Sequence, residues 1–229
     1  MEFTCLGTSS IGNCYLVKSG SSNILLDAGV PLNSVIKVIN LNNLSCAFIS
    51  HEHKDHSKEM KNLEKRGVQI VYGGINQSWS KHSIKRKFEG KFYTFGVEHG
   101  DPTCNGCVIE TPNDTILYIT DFNLCKWNLQ MFEFTSIIVE CNYCESKLSQ
   151  ELIDSDPKIK RQINTHMGLE GLKLFLDKLD LSECKEIDLV HLSQGYGNPV
   201  MMGASIYSKY KIRTGVCRQW GGVNYYGRG

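Results

Sequence analysis

Short apolar segments separated by turns of Gly, Ser and Asn fill the first third of the chain. Residues 1–6, 13–18 and 23–26 are rich in β-forming side chains and predict three strands. The run Cys46-Ala47-Phe48-Ile49 is apolar throughout, which is typical of a strand buried on both faces. Residues 31–40, which begin with Pro31, carry apolar side chains mostly at helical spacing and predict a helix.

The remaining pattern alternates between strands and helices. Further strands are predicted at residues 68–72, 115–120, 136–139 and 186–190, and further helices at 57–66, 168–179 and 200–207. Several strands end directly at an acid or a histidine. Without a linker or a repeat of fixed period, the pattern predicts one layered α/β domain over residues 1–229.

Composition excludes several classes of protein. The 229 residues are 41% hydrophobic and 21% charged, enough apolar material for a core, and the net charge of +1 provides no bulk attraction to nucleic acid. No apolar run approaches the ~20 residues that cross a bilayer, and no secretory signal begins the sequence. The ten cysteines are therefore interpreted mainly as reduced, buried thiols of a cytoplasmic protein.

The strongest chemical signal is Ser50-His51-Glu52-His53-Lys54-Asp55-His56, directly after the buried strand. In an extended segment, His51, His53 and Asp55 share one side, and His56 begins the next helix. Imidazole suits zinc and other first-row metals, and carboxylate suits zinc or manganese. The loop therefore predicts a metal site rather than a solvated turn.

These features resemble the metallo-β-lactamase fold superfamily, whose His-x-His-x-Asp-His motif is present in full at residues 51–56. The turn Asp27-Ala28-Gly29 is similar to the family's early strand-end aspartate. The resemblance implies an αββα sandwich with two mixed β-sheets flanked by helices. It also implies two Zn²⁺ ions per subunit, with Mn²⁺ as an alternative, and a homodimer. The ligands it implies are His51, His53 and His99 for one ion, Asp55, His56 and His191 for the other, and Asp121 between them.

Two further stretches resemble the ribonuclease Z branch. Val139-Glu140-Cys141-Asn142-Tyr143 is similar to its glutamate motif, and Thr165-His166-Met167 to its histidine motif. The resemblance implies that Glu140 and His166 deliver a proton to the leaving oxygen and that Asp55 orients the attacking hydroxide. An ordinary strand-end acid and a histidine without a chemical role remain the alternatives.

Three other features are ambiguous. The pairs Cys104/Cys107 and Cys141/Cys144 have the spacing of a structural zinc site or a redox pair, but also suit plain core thiols. The basic stretch of residues 81–91 fits either nucleic acid or a solvated helix face. The tail from Arg213 to Arg228, with Trp220 and two tyrosines, fits either packing or stacking on a base.

The sequence therefore predicts a di-metal phosphodiester hydrolase. The opening residues 6–15 resemble YycJ-like proteins, and the size and pattern are similar to phage anti-Pycsar phosphodiesterases. A 3′,5′-cyclic mononucleotide is the preferred substrate, and a DNA or RNA nuclease like the YycJ-like proteins is the main alternative. A glyoxalase-type thioester hydrolase and a non-catalytic binding module remain further alternatives.

Overall fold

Two β-sheets lie face to face, and helices cover the outer face of each. A computed structural model describes residues 1–73, 78–100 and 104–227. The first sheet has five strands in chain order, β1 (Glu2–Gly7), β2 (Cys14–Ser19), β3 (Ser22–Leu26), β4 (Cys46–Ile49) and β5 (Ile70–Tyr72). Strands β1 to β3 are antiparallel, and β3 to β5 are parallel.

The second sheet has eight strands. They are β6 (Ser80–His82), β7 (Lys91–Gly96), β8 (Asn105–Glu110), β9 (Thr115–Ile119), β10 (Ser136–Glu140), β11 (Glu186–Val190), β12 (Arg213–Cys217) and β13 (Val223–Tyr226), in the order 13-12-11-10-9-8-7-6. Strands β9 to β12 are parallel, and the outer pairs are antiparallel. Both sheets are therefore mixed.

Within the described ranges, seven α-helices connect or flank the strands. They are α1 (Leu32–Ile36), α2 (Lys54–Ser57), α3 (Met60–Lys65), α4 (Gln150–Ser155), α5 (Pro157–Thr165), α6 (Leu169–Leu176) and α7 (Pro199–Tyr210). None of the helices in the described ranges has the length and hydropathy that a membrane span requires.

The alternation of side chains along each strand produces three apolar layers. On β4, Cys46 and Phe48 face the second sheet, whereas Ala47 and Ile49 face α1 and α3. On the second sheet, Ile138 faces inward, and its neighbours on β10 pack beneath α6 and α7. The αββα sandwich with two mixed sheets is confirmed.

Several predicted elements differ from the observed ones. The helix predicted at 31–40 ends at Ile36, because the side chain of Asn40 accepts a hydrogen bond from the amide of Asn42 and starts a separate 3₁₀ turn. The helix predicted at 57–66 is divided into α2 and α3. Strands β6, β7, β8, β12 and β13 and helices α4 and α5 were not predicted.

The structure separates the members of one C-x-x-C pair. Cys104 packs in the layer beneath α6 together with Cys141 and Cys144, whereas Cys107 lies in the layer between the sheets. Residues three apart on a strand face opposite sides, so the four thiols do not converge on one ion. No disulfide joins the ten cysteines, all of which belong to the described ranges.

Candidate metal centre

The candidate ligands meet at one edge of the sandwich. The 51–56 loop follows β4, Asp121 follows β9 after one residue, and His191 directly follows β11. Parallel strands bring their carboxyl ends to the same edge of a sheet. The two sheets therefore contribute opposite walls of one site, and residues up to 140 positions apart in the chain become neighbours.

Three histidines and one aspartate form the first group. The ligand-type atoms of His51, His53, His99 and Asp121 lie within 4.8 Å of one another. His51 Nε2 is 2.8 Å from His53 Nδ1, and His99 Nε2 is 3.5 Å from Asp121 Oδ2. These are the residues predicted for one ion together with the predicted bridging carboxylate.

Asp55, His56 and His191 form the second group, again within 4.8 Å. Asp121 Oδ1 lies 3.4 Å from both His56 Nε2 and His191 Nε2. The two oxygens of Asp121 therefore face different groups, Oδ2 the first and Oδ1 the second. A bridging carboxylate between two cations requires this arrangement.

Hydrogen bonds behind the histidines fix the orientation of their rings. His56 Nδ1 is 2.6 Å from Asp27 Oδ2, His191 Nδ1 is 2.9 Å from Glu140 Oε1, and His99 Nδ1 is 2.7 Å from the carbonyl oxygen of Thr165. With Nδ1–H donated outward, each ring presents the Nε2 lone pair to the centre.

Both carboxylate oxygens of Asp27 have hydrogen-bond partners. Its carboxylate also accepts hydrogen bonds from the Ser50 amide at 2.7 Å and from the Tyr118 hydroxyl at 2.6 Å. All four residues of this network, including His56, are buried. The early aspartate of the sequence analysis is therefore a support for His56, as predicted for the metal loop.

The backbone is strained at three of these positions. Asp27, Asp121 and His191 have φ values of 57°, 48° and 54°, in the left-handed region that non-glycine residues rarely adopt. Each residue immediately follows, or nearly follows, a strand, and the left-handed turn directs its side chain into the site. Strain of this kind persists where the surrounding contacts hold it and is concentrated at functional sites.

Electrostatics keep several donors in the form that binds cations. Burial, followed by the charge of His56, lowers the pKa of His51 to about 2. Burial raises the pKa of Asp55, but the neighbouring imidazoles of His191 and His56 outweigh it, so the net shift is downward. A neutral imidazole and an ionised carboxylate are the states in which these groups ligate metals.

The residues fit divalent cations. His191 Nε2 is buried and has no hydrogen-bond partner among the described residues, although it lies beside two carboxylates. A buried polar atom without a partner costs about 1–3 kcal/mol, and a cation between the two groups satisfies it. The donor set of imidazoles and carboxylates suits zinc or manganese.

Several solved structures share this architecture. The B. subtilis protein YhfI, described as a metallo-beta-lactamase fold protein, superposes with a TM-score of 0.71 at 15% identity, covering 98% of each chain. The chain has the metallo-β-lactamase fold. The model of the metallo-beta-lactamase superfamily matches residues 7–76 of the chain.

Two further solved structures share the metallo-β-lactamase fold with this chain. The short form of human tRNase Z has a TM-score of 0.58 at 13% identity, covering 85% of this chain and 93% of the other. A diphosphatase of the PhnP family has a TM-score of 0.55 at 15% identity, with 84% and 86% coverage. A search of curated protein sequences found no match.

An open cavity of about 740 Å³ lies over the centre of this metallo-β-lactamase fold. Its wall includes His166, whose Nδ1 lies 2.7 Å from Glu140 Oε1. The predicted Glu140–His166 pair is therefore in contact. The same Glu140 oxygen also faces His191, so one carboxylate connects the second ligand group to His166.

Sequence reasoning missed part of the site. Asn13 Nδ2 lies 3.1 Å from His56 Nε2, and Asn142 donates to the carbonyl oxygen of His191 at 2.8 Å. Helix α5 contributes Lys158 and Arg161 to the cavity wall. Asn13 lies in the opening stretch 6–15, and Asn142 lies in the stretch that contains Glu140. No local sequence pattern, however, indicated which residues their side chains contact.

The described residues of the basic stretch 81–91 and of the tail do not line the cavity. Lys85 and Lys87 lie in an irregular segment between β6 and β7 rather than on a helix face, and Ser45 donates a hydrogen bond to the Lys87 carbonyl at the end of β4 opposite the metal loop. In the tail, Arg213 stacks on Tyr225 with a separation of 3.5 Å and pairs with Glu186, which is packing within the sheet. Trp220 is exposed and is absent from the cavity wall, and Arg228 lies outside the described residues.

Proposed function

We propose that this protein is a metal-dependent hydrolase and that its substrates are nucleotide phosphodiesters. The observation that carries the proposal is the double contact of Glu140, which holds a candidate metal ligand and a cavity-lining histidine through one oxygen. His191 Nδ1 and His166 Nδ1 lie 2.9 and 2.7 Å from Glu140 Oε1. A proton donor is thereby placed beside the candidate metal centre.

The two groups that share Asp121 would hold two divalent cations. When bound, such cations neutralise charge on phosphoryl oxygens and make a coordinated water more acidic. Asp55, which is partly exposed to the cavity, accepts a hydrogen bond from the attacking water and orients it. Zinc and manganese are the metals that these donors favour.

His166 donates the proton that the reaction requires. Its Nδ1 is bound to Glu140, so Nε2 is the nitrogen available to the cavity, where the ring is 17% exposed. As the water oxygen bonds to phosphorus and the P–O bond to the leaving group breaks, Nε2–H transfers its proton to the departing oxygen. Glu140 stabilises the protonated ring and fixes its orientation.

A proton donor discriminates between the candidate reactions. An alkoxide leaving from a phosphodiester is strongly basic and needs a proton during bond cleavage. A thiolate leaving from a thioester is far less basic, because thiols have a pKa of about 8.5. The Glu140–His166 pair therefore supports phosphodiester hydrolysis over the glyoxalase-type reaction. A non-catalytic binding module would not need a proton donor.

Two nucleotide substrates are candidates. A 3′,5′-cyclic mononucleotide is supported by the resemblance to cyclic nucleotide phosphodiesterases and by a cavity within the size range of small-ligand sites. A nucleic-acid end is supported by the cations of α5 in the cavity wall. The structural neighbours include a tRNase Z and a diphosphatase, which supports cleavage at phosphorus in either case.

The test compares leaving groups in the protein loaded with Zn²⁺ or Mn²⁺. The substrates are bis(p-nitrophenyl) phosphate, cyclic mononucleotides, single-stranded DNA and RNA, and a glutathione thioester. We expect His166→Ala to lower kcat by about 10²–10⁴ on substrates with an alkoxide leaving group and much less on the nitrophenyl ester. His82→Ala, a change on β6 outside the cavity wall, is the matched control.

The outcomes separate the alternatives. Turnover of a phosphodiester with the expected difference between leaving groups supports the proposal, provided that His166→Ala retains its metal. Equal losses on both leaving groups would show that His166 is not the acid. Hydrolysis of the thioester alone would replace the proposed function. The double change of Asp55 and His56 should abolish all turnover and serves as the negative control.

A further inference from the structure

Helix α5 presents one polar face to the cavity. Lys158, Arg161, Gln162 and Thr165, at positions i, i+3, i+4 and i+7, all line it. This spacing places side chains on one side of a helix. The face therefore extends from the mouth of the cavity, at Lys158, to the candidate metal centre, beside Thr165.

Three contacts fix α5 to the centre. The Thr165 carbonyl oxygen is 2.7 Å from His99 Nδ1, Gln162 donates to Asn142 at 2.5 Å, and His166 follows the helix directly. His99 is a candidate metal ligand, and Asn142 is a hydrogen-bond partner of His191, another candidate ligand. The position of α5 is thus determined by the same network that orients the ligands.

The two cations on this face have no protein partner. Lys158 and Arg161 are exposed, and their side chains form no hydrogen bond or ion pair with any residue in the described ranges. They are the basic side chains of the cavity wall, whose acids are the candidate ligands Asp55 and Asp121. Asp55 and Asp121 belong to the two metal groups and do not pair with Lys158 or Arg161. The positive charges of Lys158 and Arg161 are therefore available to the substrate.

We infer that Lys158 and Arg161 form a subsite for a second, non-scissile phosphate of the substrate. The inference rests on the proposed function, because the scissile phosphate then occupies the metal centre. About 4.5 Å of helix rise separates the two residues, and both side chains are long enough to converge on one anion. A cyclic mononucleotide has only its scissile phosphate and leaves the subsite idle, so the favoured substrate is a nucleotide with a second phosphate, such as a nucleic-acid end.

The decisive measurement is binding, so that it does not depend on turnover. Calorimetry compares adenosine 3′,5′-bisphosphate with adenosine 5′-monophosphate on the metal-loaded protein. We expect the bisphosphate to bind roughly tenfold more tightly, because it reaches two charged donors, and the difference to shrink with added salt. The double variant Lys158→Ala/Arg161→Ala should lose this preference.

A control on the same helix isolates the position of the charge. Lys160 is exposed but does not line the cavity, so Lys160→Ala removes one positive charge from the same helix and should keep the preference. Equal affinity for both nucleotides in the wild type, or a preference that survives the double variant, overturns the inference. A large loss of bis(p-nitrophenyl) phosphate turnover in the double variant also overturns it, by placing both residues at the scissile phosphate. Failure of the wild type to cleave any phosphodiester refutes the proposed function, and the binding comparison still decides the subsite.

Discussion

Replacing Asp27 by Asn tests whether the buried network behind His56 supports a metal ligand. The carboxylate accepts hydrogen bonds from Ser50, His56 and Tyr118 at 2.6–2.7 Å, with two of these donors on the same oxygen. An amide has one acceptor oxygen, and its NH₂ group would face a donor. At least one buried donor therefore loses its partner.

Two magnitudes follow from this change. Loss of a partner that orients a ligating histidine lowers metal affinity by about 10–100-fold, which corresponds to about 1.4–2.8 kcal/mol. An unsatisfied buried donor costs about 1–3 kcal/mol of the free energy of unfolding. For a chain of this size, that cost lowers Tm by roughly 2–12 °C.

The assay measures Zn²⁺ affinity by competition with a chromophoric chelator, well below the melting temperature of the variant. Asp114→Asn is the control, because Asp114 is another buried carboxylate that binds Ser19 and Thr135 and belongs to neither ligand group. It should lower Tm without changing the affinity for Zn²⁺. If folded Asp27→Asn binds Zn²⁺ within about twofold of the wild type, the reasoning from orientation is refuted.

Two further changes test the packing and the core electrostatics. A Cβ at Gly29 would lie 1.7 Å from a backbone oxygen of the metal loop, so Gly29→Ala should cost about 3 kcal/mol or more in thermal melts. Gly195→Ala, with open space around it, should cost less than about 0.5 kcal/mol, and equal effects would contradict the packing argument. Burial, then the nearby Glu186, raises the pKa of Asp188 well above its ordinary value. The contribution of Asp188 to stability therefore falls as the pH rises above about 4, and Asp188→Asn should be the more stable protein in urea at pH 7 but not at pH 4, whereas a constant difference would refute the assignment.

The local pattern predicted a layered α/β domain because its central strands carry strong local signals, and the resemblance of the 51–56 motif implied the sandwich. The continuous run of β4 and the segments that became β9, β10 and β11 are short and apolar, and β11 has the predicted bounds, Glu186–Val190. Their ends carried the acids and histidines. The local pattern was therefore sufficient to place candidate ligands at strand ends, and the parallel arrangement of the strands brought them together.

Helix α5 shows why the substrate side was not predicted. It has a single buried side chain, Ile159, so its apolar stripe is narrow. The cap Asp156 and the following Pro157 were readable signals of a helix start. Its role, however, depends on hydrogen bonds with His99 and Asn142, which lie outside the helix in the chain, and no local pattern encodes such contacts.

The strained turns show which interactions dominate at the site. A left-handed conformation costs a non-glycine residue about 1–2 kcal/mol, and glycine would relieve it at Asp27, Asp121 and His191. At Asp27 alone, glycine would leave three buried residues short of an acceptor, at about 1–3 kcal/mol each. The hydrogen bonds of the side chain therefore outweigh the backbone strain. Since one of those bonds joins Asp27 to His56, the same contacts that hold the turn in place also fix the direction of a candidate metal ligand.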